Sequence, residues 1–199
     1  MPNERVEIGR IARLQIQTDS LKRGSGRDKH YDPAAIAPVD ALTITRDGAT
    51  ALVDGVERVD VHNNRHPQSK QRDGINPLSI GFTKHYARMR ERFGSRLSDG
   101  IAGENMLVEA ARGFNLADVA AGFVIQGEDG RSIELTAVSV AHPCVEFSRF
   151  ALDDPVADSH VVSDVLRFLD AGVRGFYVRW DANDAAVIRT GDRVYRIVE

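Results

Sequence analysis

The sequence is poor in cysteine, lysine and long apolar runs. With a single cysteine among 199 residues, no internal disulfide can form, so the fold must rest on its own core and a reducing compartment is expected. No apolar stretch approaches the roughly 18 residues that a membrane helix needs, which excludes a helical span. The opening residues, MPNERVEIGR, lack a basic start followed by an apolar segment, so no secretory signal is read and the cytoplasm is the expected location. Lysine is scarce, four residues against 22 arginines. The 26 cations and 29 carboxylates leave a net charge of −3 rather than the basic excess of a nucleic-acid binder. Arginine forks suit phosphate and carboxylate, but codon bias and ordinary surface solvation are the commoner reason for such usage. A composition of 42% hydrophobic and 28% charged residues describes a globular chain, and its length fits one domain spanning residues 1–199.

Periodicity gives the outline of that domain. Val6, Ile8, Ala12, Leu14 and Ile16 share one parity, the period-2 signal of a half-buried strand. Leu21 to Pro38, rich in Gly, Pro and charge, reads as a long loop. Short β-like runs follow at Asp40–Ile44, Ala49–Val53 and Arg58–Val61, parted by the turn pairs Asp47-Gly48 and Asp54-Gly55. His62 to Asn76 is polar and reads as loop. Phe82, Tyr86, Met89 and Phe93 predict an amphipathic helix stopped by Gly94. Asn105–Val108 and Phe123–Ile125 are short apolar strands, and Ile133–Ala141 is a near-continuous run expected to be interior. Val161 to Leu169 predicts a second helix closed by Gly172, and strands at Phe176–Trp180, Ala186–Arg189 and Val194–Val198 end the chain. Many strands with two helices favour a β-rich α+β domain, a partly closed barrel with a few peripheral helices. Gly24-Ser-Gly26 follows a charged loop and opens no apolar helix, so it is no phosphate-binding fingerprint.

Few residues offer chemistry. Cys144 follows His142-Pro143 at the end of the run expected to be interior, where the proline stops the strand and turns the chain into a loop, placing the thiol at a rim. There it is either a small buried apolar residue or a working thiolate: nucleophile, sulfur carrier or soft-metal ligand. A Cys144–His142 hydrolase finds no acid or oxyanion donor to complete it. His62 and His66 have the spacing of a helical zinc pair, but Asn63-Asn64 and Pro67 argue against a helix. The turn Gly100-Ile-Ala-Gly103-Glu104-Asn105 permits close backbone approach and can form an anion-binding concavity, or be an ordinary turn.

Taken in order, these pieces resemble the MOSC family, the domain related to the C-terminal part of molybdenum cofactor sulfurases. The likeness runs through Asp60-x-His62, Gly100-x-x-Gly103-Glu104-Asn105 with its apolar strand, Pro143-Cys144, Arg174-Gly-Phe-Tyr-Val-Arg179 and Gly191-Asp192, and so spans about Asp60 to Val198. Asn63-Asn64 replaces the Gly-Gly that often follows the family's histidine, and an arginine often found just before Pro-Cys is absent at His142. The resemblance implies a MOSC-type barrel that binds a molybdopterin-type molybdenum cofactor. Cys144 would be metal ligand and catalytic residue, with His62, Gly103, Asn105, Arg174 and Arg179 on the cofactor. It implies, if the protein is an enzyme, an oxidoreductase that reduces N-hydroxylated bases or amines, served by an electron-donor protein and acting on a small-molecule substrate. The alternative is a non-catalytic module in which Cys144 carries sulfur or delivers cofactor to a partner. Neither nucleic acid nor membrane is an expected partner.

Overall fold

The computed structural model describes residues 4–70 and 77–198. Its strands are β1 (Glu4–Gln17), β2 (Lys22–Arg23), β3 (His30–Tyr31), β4 (Ile36–Val39), β5 (Ala41–Thr45), β6 (Gly48–Val53), β7 (Val56–Val59), β8 (Leu78–Phe82), β9 (Met106–Ala110), β10 (Phe123–Gln126), β11 (Ser132–Val140), β12 (Phe176–Arg179), β13 (Ala186–Arg189) and β14 (Arg193–Val198). The helices are α1 (Thr83–Phe93), α2 (Leu116–Val119), α3 (Val145–Leu152) and α4 (Ser159–Asp170).

Seven strands close a barrel in the order β1, β14, β10, β11, β12, β8, β9, with β4 added alongside β1. Closure is possible because β1 is long and bends. Register shifts between Glu7 and Gly9 and between Ile11 and Arg13 let its first half pair with β14, its middle with β9 and its last residues with β4. At Gly9 a Cβ would lie 1.9 Å from the Glu109 carbonyl oxygen, so only glycine admits β9 that closely. Every pair in the barrel is antiparallel except β8 with β9, which run parallel and need the helical crossover that α1 supplies. Leu14, Ile80, Phe82, Met106, Phe123 and Phe176 fill the interior. A second antiparallel sheet, β13-β5-β6-β7, joins the same core through Leu42, Ile44 and Ile188. Its β6–β7 hairpin turns on Asp54 and Gly55, both at positive φ, as the sequence predicts. Outside the barrel, α1, α3 and α4 pack a second apolar cluster, including Met89, Phe147, Val165 and Leu169, against Leu107 of β9.

Several local expectations change. The 21–38 segment is not one loop: Lys22 pairs with Tyr31 in a two-stranded hairpin and Ile36–Val39 forms β4. Leu78–Phe82 is a strand buried at all five positions, so Phe82 ends β8 and caps α1 rather than lying on it. Along β11 only Ile133 and Leu135 are buried, and a register shift around Ala137, at positive φ, breaks the run. Cys144 leads not into a loop but into α3. The loop expected over His62–Asn76 is irregular through Lys70, and Gln71–Asn76 lies outside the described residues. No helix among the described residues is long and apolar enough to cross a membrane.

Candidate functional site

At one rim of the barrel, β1 ends, β9 begins, β11 ends and β12 starts, because antiparallel neighbours bring those termini to the same side. A cleft of about 230 Å³ opens there, lined among others by Gln17, His62, Ala102, Cys144, Arg174 and Tyr177. Three of the residues singled out in the sequence, His62, Cys144 and Arg174, thus meet across one cavity.

Asp60, fully buried, organises one wall. Its Oδ2 accepts the Gln17 backbone N–H at 2.8 Å and Asn105 Nδ2 at 3.0 Å, while its Oδ1 accepts the His62 backbone N–H at 2.8 Å and His62 Nδ1 at 3.0 Å. The last bond assigns the proton to Nδ1 of His62 and leaves Nε2 as the ring nitrogen free for other work. Asn105 does not line the cleft. Its Oδ1 accepts the Ser79 N–H at 3.0 Å and the Ser79 hydroxyl at 3.1 Å, so the amide ties β8, β1 and the Asp60 carboxylate together behind the cavity. Gly103 is also beneath the surface. At φ +85 its absent Cβ would lie 2.6 Å from Gln17 Nε2 and 2.7 Å from Leu21 Cδ1, and its carbonyl accepts Gln17 Nε2 at 2.6 Å. Glycine is required so that the turn can dock on β1 and present Ala102 to the cleft.

The other wall is α3. Cys144 is its N-cap, extended at φ −114, ψ 161, and its half-buried Sγ accepts the Phe147 N–H at 3.4 Å. Phe147 and Ala151, four apart, give α3 its buried face, and that periodicity is what a strand-then-loop reading of Pro143-Cys144 missed. In the first turn Glu146 receives Lys29 at 2.9 Å and Lys22 at 3.8 Å, which clamps the β2–β3 hairpin over the helix. Burial pushes the Glu146 carboxyl up, but the Lys29 hydrogen bond, with help from the backbone, Cys144 and Lys22, brings it down to about 2. Tyr31, from the same hairpin, sets its ring edge-on to Phe147 with centroids 5.0 Å apart and donates to the Ile101 carbonyl at 2.7 Å.

Arg174 crosses the floor. Its Nη2 donates to the Ala102 carbonyl and its guanidinium lies 5.3 Å over the Phe147 ring. Below it, buried Glu104 accepts the Tyr86 hydroxyl at 2.8 Å through Oε2, whereas Oε1 has no partner. Burial raises the Glu104 carboxyl and Arg174 only partly opposes that. Lys22, Lys70 and Arg174, with His62 and His142, line the cleft, and no carboxylate does among the described residues. The cavity therefore suits an anion. Two of the four lysines of the chain line it, and a third, Lys29, braces its wall.

Arg179 is elsewhere: at the far end of β12, opposite Thr136, it pairs with Asp181 at 3.0 Å. His66 lines a different cavity, beside Arg23 and Arg58, and no cluster of three or more potential metal-binding side chains occurs among the described residues. His142 is exposed and bonds Asp170 at 2.6 Å through Nδ1. Lys22, Tyr31, Tyr86 and the unpartnered oxygen of Glu104 escaped sequence reasoning, for only tertiary packing brings the first two to the cleft and sets the other two beneath it.

No family model matches the chain, and no curated protein matches it by sequence. Solved structures do. The YuaD protein from Bacillus subtilis aligns over 96% of both chains with a TM-score of 0.56 at 14% identity. YiiM from Geobacillus stearothermophilus aligns over 96% of this chain and 75% of its own, with a TM-score of 0.51 at 18% identity. YiiM from Escherichia coli covers 96% and 70%, with a TM-score of 0.51 at 14% identity. YuaD and YiiM are MOSC-family proteins, and the present chain has a MOSC-like fold.

Proposed function

We propose that the cleft holds an anionic, molybdopterin-type molybdenum cofactor, with the Cys144 thiolate as its protein ligand. The observation that carries this reading is a half-buried thiol in a cavity whose charged lining residues, among those described, are all cationic or histidine. A thiolate is a soft donor suited to a sulfur-rich metal centre, and a guanidinium and ammonium groups suit a phosphate. Arg174, held from below by Ala102 and Phe147, and Lys22 and Lys70 at the rim would bind the phosphate. Gly103 and Asn105 act from behind, by fixing the turn and the Asp60 carboxylate. His62, oriented by Asp60, would hold or pass a proton at Nε2. Arg179 has no part in this arrangement. When bound, the metal centre would supply two-electron reduction of the N–O bond of an N-hydroxylated base or amine, with electrons from a separate donor protein in the cytoplasm.

The test is elemental and pterin analysis of protein purified from a molybdenum-replete, cofactor-competent host. Stoichiometric molybdenum in the wild type and its loss in a folded Cys144→Ser variant are expected. Wild-type protein free of molybdenum and pterin, and inactive on hydroxylaminopurine, overturns the proposal; a persulfide on Cys144 without metal would instead assign the chain to sulfur delivery.

A further inference from the structure

A second cavity, also about 230 Å³, is lined by Lys29, His30 and Tyr31 of the same hairpin segment, and among the described residues Tyr31 is the one that lines both. Its apolar wall is made by the rings of Tyr31 and Phe150, whose centroids are 5.1 Å apart. Among the described residues three permanent cations line it, and two are already engaged. Lys29 is bonded to Glu146 at 2.9 Å, and Arg96 is paired with Asp153 at 3.0 Å, bonded to the Phe150 carbonyl and set 5.3 Å over the Phe150 ring.

Arg149 differs. It extends from the middle of α3 into the lining of this cavity, and its guanidinium has no ion pair and no hydrogen bond among the described residues. Its Nε is sealed from water with no acceptor, a state that is costly for a charged donor and seldom left unexplained in a folded protein. Of the acids on the lining, Glu146 and Asp153 are paired with Lys29 and Arg96, and Asp154 uses its carboxylate to accept the Val156 N–H at 3.0 Å.

We propose that this cavity is a binding site for a small aromatic carboxylate, with Arg149 as its anchor and Tyr31 and Phe150 as the seat for the ring. The guanidinium fork matches a carboxylate in two parallel bonds, and aromatic walls take a flat apolar body. One unpaired cation among the described lining residues fits a monoanion; a phosphate dianion would leave excess negative charge beside Asp153 and Asp154. The volume lies below the range of roughly 300 Å³ and upward typical of sites for drug-sized ligands, which limits the ligand to about a single ring. This site depends on neither Cys144 nor a bound metal.

The experiment is a titration of the full chain with sodium benzoate, followed through the Arg149 Nε–Hε resonance by nitrogen-15 NMR and through the melting temperature. Saturable movement of that resonance in the millimolar range is expected, with no movement by benzyl alcohol. Arg149→Gln should weaken benzoate binding roughly ten- to a hundred-fold, while Cys144→Ser binds benzoate like the wild type, so that failure of the molybdenum reading and failure of this one are told apart. If Arg149→Gln folds poorly, Arg149→Lys serves to assign the resonance and remove the fork. An Arg149 resonance unmoved by benzoate overturns the proposal, as does equal movement by inorganic phosphate, which would mark a general oxyanion contact.

Discussion

Asp60 and Glu104 stand behind the same cleft, both buried, and they are treated in opposite ways. Asp60 accepts four hydrogen bonds from three separate segments and has every donor it needs. Glu104 has one side-chain donor, Tyr86, and an oxygen with no partner among the described residues, and Arg174, its own backbone and Tyr86 answer its charge only in part. The first carboxylate is a fastener that sets the position of His62. The second is a loaded group whose ionisation is opposed by burial, and its balance with Arg174 is open to change when an anion enters the cleft.

The largest test of that contrast is removal of the fastener. Asp60→Ala strands donors from Gln17, Asn105 and His62 in the interior, and a loss on the order of 3–5 kcal/mol is expected in urea unfolding. A cost below that of an ordinary surface change would break the comparison. A buried base shows the same half-satisfied state as Glu104 on the other side of β8. His85 Nε2 accepts the Phe114 N–H at 3.0 Å, its Nδ1 has no partner, and burial lowers its value to about 4. The unfolded chain binds this proton from pH 6.5 downward and the native state only near pH 4, so the stability it contributes is complete above 6.5 and is lost as pH falls between those values, by up to about 3 kcal/mol. Stability against pH in the wild type and in His85→Gln measures it.

Gly103→Ala tests the turn that sets Glu104 in place. With φ at +85 and a Cβ forced against Gln17 and Leu21, about 2 kcal/mol of destabilisation is expected, together with weaker anion binding in the cleft. The smallest effect belongs to Glu104→Gln. The raised native value means that the glutamate favours folding fully below its ordinary 4.5 and that this contribution is lost as pH rises through the native value. The amide keeps an acceptor for Tyr86 and removes the buried charge, so the variant should be equal to wild type or more stable by about 1 kcal/mol at pH 8. A variant as damaged as Asp60→Ala would show that both carboxylates are fasteners.

Strands were legible where one face is buried and alternation survives, as in β5 with Leu42 and Ile44 inside, whereas in β1 the register shift between Ile11 and Arg13 breaks the expected parity, burying Ile11 and exposing Ala12. β8 was not legible. All five of its residues are interior and Phe82 fits the helical spacing that follows, so the pattern ran on into α1. β11 misled in the opposite sense, for a run of apolar letters became a one-sided strand with a register shift. At the site, the motif order brought out Cys144, His62 and Arg174, which do converge on one cleft. Gly103 and Asn105 stand one layer behind them, and Arg179, three residues into β12 from its first residue, is carried away along the barrel. The hairpin over α3 was hidden because its ordering comes from Lys22, Lys29 and Tyr31 meeting residues more than 100 positions away, which no local pattern records.

The pairing of β1 with β14 also sets when the protein can exist. Glu4 lies opposite Val198 and Arg10 opposite Arg193, so the ring has no closing partner until β14 has left the ribosome. During synthesis β1 can find β4 and then β9, but β10 and the free edge of β1 stay open at the barrel seam. Contacts of such long sequence separation form slowly, and an unpaired edge invites other chains in the meantime. The nascent polypeptide is thus most vulnerable to aggregation and proteases just before β14 emerges, and a chain stopped short of β14 leaves an open sheet in place of the barrel.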